Sequence, residues 1–181
     1  MRYRVTSGAL TVRARSRIHD TTTVWNRVSG EIVADPETLA VAPVGVVEAV
    51  GAVGGAPAGT SARFEVDMTA FDAGDFLKNR KLRKDFALDA HPRASFALTG
   101  LERVVRTGAA FTATAIGALA WRGKRVELRL AGRGTLDAMA VEASATFELD
   151  IRWLGLAAPR FLIFKVEDEV TVDVAIRGVP A

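Results

Sequence analysis

The chain predicts an all-β protein, an eight-stranded antiparallel lipocalin-like barrel with one short amphipathic helix near one end. Long stretches alternate apolar and polar residues with a period of two, as strands with one buried face require. The longest runs from 141 to 153. Val141, Ala143, Ala145, Phe147, Leu149, Ile151 and Trp153 take the odd positions, and Glu142, Ser144, Thr146, Glu148, Asp150 and Arg152 the even ones. Strands this long and this one-sided suit a tilted, closed barrel better than a sandwich of short strands. The pattern breaks once, between Ala73 and Phe96. There Phe76, Leu77, Leu82 and Phe86 recur at roughly helical spacing among Lys78, Arg80, Lys81, Arg83 and Lys84.

The bulk properties fit one domain over 1–181, with an Ala/Gly/Val-rich insertion at about 37–61. Aromatic residues make up only 7% of the chain, so small side chains fill much of the apolar parity and leave room inside. The formal net charge is +3, and outside the helical stretch the basic residues are scattered singly on strand faces. The aromatic residues sit in the apolar phase, not between the basic ones, which reads as a solvated surface and predicts no nucleic-acid partner. There is no cysteine, which excludes disulfides, thiolate nucleophiles and Cys-ligated zinc. The N-terminal MRYRVTSGALTVRARSR has no secretory core and no run reaches the ~20 apolar residues of a spanning helix. The expectation is a cytoplasmic protein as written, or a periplasmic one if a leader has been removed.

The elements follow in order. Leu10, Val12, Ala14 and Ser16 alternate with Thr11, Arg13, Arg15 and Arg17. Over 18–34, Val24, Val28 and Ile32 share one parity and Trp25 and Val33 the other, with a bend or bulge at Ser29-Gly30. The nearly uncharged insertion reads as a loop or extra hairpin over the barrel, or as a flap that shields a ligand or touches lipid. Phe64, Val66 and Met68 form the next inward face. Asp75 is placed to accept from orphan N–H groups at the helix start, and Pro92 stops the helix from continuing. Phe96 and Leu98 open another strand. Phe111 to Trp121 follows, then a tight turn at Arg122-Gly123-Lys124, then Val126, Leu128 and Leu130. In the last segment Leu162, Phe164, Val166, Val170, Val172, Val174 and Ile176 keep one parity that only Asp168 breaks, which predicts a bend or strand crossing at 167–169.

Catalytic chemistry is hard to assemble from these residues. A nucleophile needs a base and an orienting acid, and the two histidines, His19 and His91, lie in separate turn-like settings. No phosphate loop and no metal-ligand spacing is present, so neither a cofactor nor a metal is expected. What remains is an apolar interior. A hydrocarbon chain entering it gains about 0.8 kcal/mol per buried CH₂. Strand parity predicts a lining of Phe64, Val66, Phe96, Leu98, Phe111, Leu119, Trp121, Leu128, Phe147, Leu149 and Phe164, with Phe76 and Leu82 closing one end. Lys78, Arg80, Lys81, Arg83 and Lys84 are candidate contacts for an anionic head group, or simply the solvated outer face of the helix. The alternative is a barrel whose Phe, Trp and Leu side chains fill the core, serving as an interaction or structural module.

The motifs resemble those of the YceI-like family, the polyisoprenoid-binding barrels. That family has an Ile/Val-Asp strand, a helix of the form Asp-x-x-Leu-Lys/Arg-x-x-Asp-Phe, then a Tyr/His-Pro step into a strand with Phe. FEVDMTAFDAGDFLKNRKLRKDFALDAHPRASF stands at the matching place. GALAWRGKRVEL at 117–128 is similar to the family's Gly-x-Leu-Thr-x-x-Gly-x-x-Lys/Arg segment. FELDIRWLGL and FKVEDEVTVDVAI resemble its closing strands, with Leu154-Gly155 in place of Phe-Gly. The likeness covers most of the chain from Ser16 to Ile176, and the insertion at 37–61 is not part of the usual pattern. The resemblance implies a barrel with a helix at one end, no catalytic residues, and a long isoprenoid or fatty-acid-like lipid in the lumen. Homodimers and transient membrane contact are the partners expected besides the lipid.

Overall fold

The computed structural model describes residues 1–17, 19–35, 59–158, 160–161 and 164–181, with main chain only at 160, 161, 164 and 165. Eleven strands form among the described residues, namely β1 Arg2–Ser16, β2 Thr21–Trp25, β3 Val28–Val33, β4 Ser61–Asp67, β5 Phe71–Asp72, β6 Arg93–Thr107, β7 Ala110–Trp121, β8 Lys124–Leu136, β9 Val141–Asp150, β10 Arg160–Phe161 and β11 Phe164–Pro180. Eight of them close a ring in the order β1-β3-β4-β6-β7-β8-β9-β11, and β11 returns to β1 antiparallel along most of its length. The predicted eight-stranded antiparallel barrel is therefore what the chain builds. β2 and β5 extend the β1 side, and β10 pairs with β11. The insertion lies almost wholly outside the described residues.

Local chemistry sets most boundaries. Arg122 and Gly123, with φ of 53° and 71°, make the two-residue turn between the paired Trp121 and Lys124. Two successive residues at positive φ suit the right-handed twist of the flanking strands. Asp137 accepts from the Met139 and Ala140 amides at 2.7 and 2.9 Å, which closes the β8–β9 turn.

Three expectations are corrected here. The expected bend or bulge at Ser29-Gly30 does not form, since β3 pairs with β4 in unbroken register there, and the break within 18–34 comes earlier. β2 and β3 separate at Asn26-Arg27 and the inward face switches, so that Trp25 and Thr23 point in and Val24 lies on the opposite face. The strand from Val141 stops at Asp150, because its carboxylate accepts from the Arg152 amide at 2.9 Å and caps a 3-10 turn, Ile151–Leu154, that Gly155 ends at φ 70°. Ile151 and Leu154 are buried, whereas Trp153 is 56% exposed. At 167–169 the chain neither bends away nor leaves the sheet. β11 continues, and the disturbance is a register shift between Ala14↔Val170 and Ser16↔Val166.

The helix, α1, spans Phe76–Asp85 with Asp75 as its cap, accepting from the Lys78 amide at 2.8 Å. Leu82 is buried and Phe86, the C-cap residue, reaches the barrel interior. Phe76 and Leu77 are each 74% exposed, so Phe76 is not at the end it was expected to close. The helical period explains why. Residues 82 and 86 are one turn apart, and the positions sharing their face a turn earlier are 78 and 79, not 76 and 77. Asn79 faces the barrel instead. Its side chain accepts from the Ala73 amide at 2.7 Å and donates to Asp72 at 3.3 Å, tying the helix to β5.

The Lys78 amide, helped by the nearby Lys78 ammonium, holds the Asp75 carboxyl below its ordinary value. A depressed carboxyl stabilises the fold above the unfolded-state value of about 4 and loses that contribution as pH falls through the folded value. Asp75→Ala is expected to lower Tm at pH 7 and to melt like the parent once both are well below pH 3. A thermal-melt series against pH checks it, and a difference that persists in acid would contradict the capping account.

Candidate functional site

Every strand of the ring turns apolar side chains inward, and in its middle those side chains do not meet across the axis. They enclose a cavity of about 330 Å³. One water needs only about 10–15 Å³ of such space, so this is a lumen and not a packing flaw. The exposure pattern agrees. Phe64, Phe96, Leu98, Phe111, Leu119, Leu130, Phe147 and Val174 all point inward yet remain only half-buried, because they face open space instead of a neighbour. The expectation of a filled core does not fit this interior.

Two features keep the lumen open. Ala113, Ala115, Gly132, Ala143 and Ala145 occupy inward positions on three successive strands and project little volume. The aromatic rings meanwhile lie against the wall. A side-chain carbon on Gly117 would fall 2.2 Å from the Phe96 ring, one on Gly134 2.9 Å from Phe111, and one on Gly30 2.8 Å from Phe64. Each ring covers a neighbouring-strand glycine and so stays off the axis. Phe64 and Phe96 stack along the same wall with centroids 6.4 Å apart.

Packed clusters of described residues stand toward both ends. At the helix end Trp25, Met68, Leu88, Trp121, Leu128, Leu149, Ile151, Leu154 and Leu156 form one core, and at the other Tyr3, Ile32, Ala34, Ala62, Leu136 and Val141 form a second. The polar atoms in these plugs are spoken for. Trp25 Nε1 donates to the Met68 carbonyl at 3.1 Å, Trp121 Nε1 to His91 at 2.9 Å, and the Tyr3 hydroxyl to Asp137 at 2.6 Å. Burial, with the Asp137 charge behind it, pushes the Tyr3 phenol above its ordinary value. The polar residues on the cavity wall, Thr60, Ser61, Ser95, Arg133 and Ser144, stand at a strand end or on outward parity. Such a wall offers hydrocarbon contact and almost nothing to orient a polar group.

Of the residues singled out from sequence, Phe64, Val66, Phe96, Leu98, Phe111, Leu119, Trp121, Leu128, Phe147 and Leu149 stand on this wall. Leu82 instead lines a smaller space of about 60 Å³ under the helix, shared with Phe86, Trp25 and Ile151. Phe76 is on the outside, and the side chain of Phe164 lies outside the described residues. None of the five helix cations is on the cavity wall. Lys78 pairs with Asp75 at 3.5 Å and Lys81 with Asp85 at 2.8 Å. Arg83 pairs with Asp89 at 2.6 Å and also donates to the Thr69 carbonyl. Arg80 and Lys84 are exposed and make no ion pair among the described residues.

Other wall residues were not singled out. Leu10, Val12, Val174 and Ile176 follow from the same alternation. Leu101 and Val104 do not, because two irregularities in β6, between Leu98 and Gly100 and between Glu102 and Val105, shift its parity twice. Arg103 at φ 50° marks the second, and Val105 turns out to 61% exposure. His19 is exposed, His91 is half-buried, and neither imidazole meets a carboxylate among the described residues. No cluster of metal-ligating side chains occurs among those residues either.

No curated protein matches the chain. Solved structures do. Burkholderia cenocepacia BcnA is 17% identical with a TM-score of 0.70, covering 94% of this chain and 95% of its own. A polyisoprenoid binding domain from Saccharophagus degradans, implicated in plant cell wall breakdown, is 12% identical with a TM-score of 0.70, covering 99% and 98%. The Campylobacter jejuni YceI protein is 11% identical with a TM-score of 0.65, covering 91% and 88%. At these identities the likeness is one of fold. The YceI-like domain model matches residues 4–177, nearly the whole barrel from β1 to β11, and on that match the chain belongs to the YceI-like family.

Proposed function

We propose that this barrel binds a long apolar or amphipathic lipid, polyisoprenoid-like or fatty-acid-like, in its lumen and carries it without chemical change. The observation that carries the reading is the apolar cavity of about 330 Å³ whose inward side chains are left half-exposed. Leaving that much hydrocarbon surface unpacked forgoes stability that a filled core would gain, and a bound chain restores it. The polyisoprenoid-binding description of one fold neighbour supports the same class of ligand. The setting of the two histidines supports binding over catalysis. In this reading Phe64, Phe96, Phe111, Phe147 and their wall neighbours contact the chain, and Arg80 and Lys84 are the helix cations best placed to meet an anionic head.

The outer surface of the helix supports contact with a bilayer. Phe76 and Leu77 project into solvent beside Lys78, Arg80, Lys81 and Lys84, an apolar pair set among cations. A homodimer belongs to the proposal through the family resemblance.

Organic extraction of protein purified without added ligand, followed by mass spectrometry, is expected to release a lipid. With stripped protein, affinity for linear alcohols should rise about fourfold per methylene until the lumen is full, the equivalent of about 0.8 kcal/mol. Ala145→Phe, which adds a ring to the open wall, should keep Tm and weaken binding at least tenfold. A clean extract together with no dependence on chain length would overturn the reading. Separately, Phe76→Ser with Leu77→Ser should cut binding to phosphatidylglycerol vesicles by tenfold or more, since each buried side chain is worth about 1.5 kcal/mol or more. Unchanged co-sedimentation would rule out the helix as the contact.

A further inference from the structure

Among the described residues the barrel wall parts between β8 and β9. β8 and β9 are joined by a tight turn and pair from Leu136↔Val141 to Gly132↔Ala145, and there the ladder stops. Beyond it, residues 124–131 of β8 still pair with β7, and residues 146–150 of β9 still pair with β11. Each strand thus keeps its outer neighbour and turns an open edge toward the other. The glycines at the base of the fork make this geometry feasible. A side-chain carbon at Gly134 would lie 1.9 Å from the Glu142 carbonyl oxygen, so only glycine lets the strands approach so tightly before they diverge. Closure of a barrel removes strand edges and satisfies their N–H and C=O groups, so a fork left in the wall sacrifices ladder bonds at that seam.

Both edges of the fork belong to the lumen. Leu128 and Leu130 on one side and Phe147 and Leu149 on the other all stand on the cavity wall. The helix-side end of the fork is stopped by the 3-10 turn. Ile151, Leu154 and Leu156 pack there with Leu128 and Leu149, and the Lys124 side chain lies against Gly155. Nearer the base, Leu130 and Phe147 are only half-buried. The packed clusters stand toward the two ends of the barrel axis, away from this stretch of wall.

We infer that the fork between β8 and β9 is a lateral portal through which a hydrocarbon chain enters and leaves the lumen, passing between Leu130 and Phe147. This rests on the lumen being the binding site. Hydrocarbon crossing there meets apolar side chains on both sides and separates strands that share no ladder bonds.

The chain has no cysteine, so engineered thiols are unique. Arg129 and Glu148 would face each other if the register continued, and both are exposed on the outer face, so the lumen stays untouched. Their present partners, Glu102 and Thr171, are surface contacts of small energetic weight. Arg129→Cys with Glu148→Cys, bridged by a reducible bis-maleimide, is expected to slow uptake and release of an NBD-labelled prenyl alcohol at least tenfold. Reductive cleavage of the bridge should restore both rates, which separates a shut portal from a damaged fold. Equal rates before and after cleavage would overturn the portal while leaving the lumen reading standing. Failure of the unmodified protein to take up the probe at all would overturn both.

Discussion

The structure depends on a mismatch between circumference and filling. Eight tilted strands set a girth that large side chains could just fill. Here alanine and glycine occupy the inward positions of β7, β8 and β9, and Phe64, Phe96 and Phe111 lie flat over glycines of adjacent strands. The ring therefore closes without its contents meeting. Stability comes instead from the ladders and from the two end plugs, where Tyr3, Leu88 and Leu136 are fully buried. This division of labour lets the middle of the barrel stay hollow while side chains pack toward its ends.

Polar groups are arranged to the same end. The indole and phenol groups of the plugs donate to main-chain carbonyls, and charged side chains lie outside, many in surface pairs such as Arg13 with Asp173 and Arg2 with Glu31. Such pairs contribute little individually and serve solubility more than fold. No buried side-chain polar atom among the described residues is left without a partner. Under the proposed function, a lumen built this way would discriminate by length and girth of a hydrocarbon more than by its head group, favouring a ligand class over a single molecule.

The alternation in β4, the first half of β6, β7, β8 and β9 was legible because the two-residue period is strict there, and so were the ten wall residues it placed. Other positions were hidden by chemistry that pattern alone does not weigh. Trp153 continues the odd-position series, yet Asp150 capping and Gly155 at positive φ end the strand first. Leu101 and Val104 lie beyond bulges that invert parity, and only the positive φ of Arg103 betrays one of them. That Trp25 and Val28, of opposite parity, both line the lumen was not legible, because the break at Asn26-Arg27 carries no glycine or proline to announce it. Phe76 and Leu77 look like part of an apolar helix face until their angle to Leu82 is counted. The openness of the lumen was only hinted at by the low aromatic content. It depends on which glycine each ring covers, and that is a matter of register between strands distant in sequence.

The central claim is that the interior is an open apolar hollow, and xenon tests it most directly. Xenon enters dry apolar cavities and scatters strongly, so a crystal of lipid-stripped protein under xenon pressure reports the empty space itself. The account predicts xenon peaks inside the barrel, bounded by Phe96, Leu119, Phe147 and Val174. A lumen free of xenon, with those side chains in van der Waals contact across the axis, would contradict it.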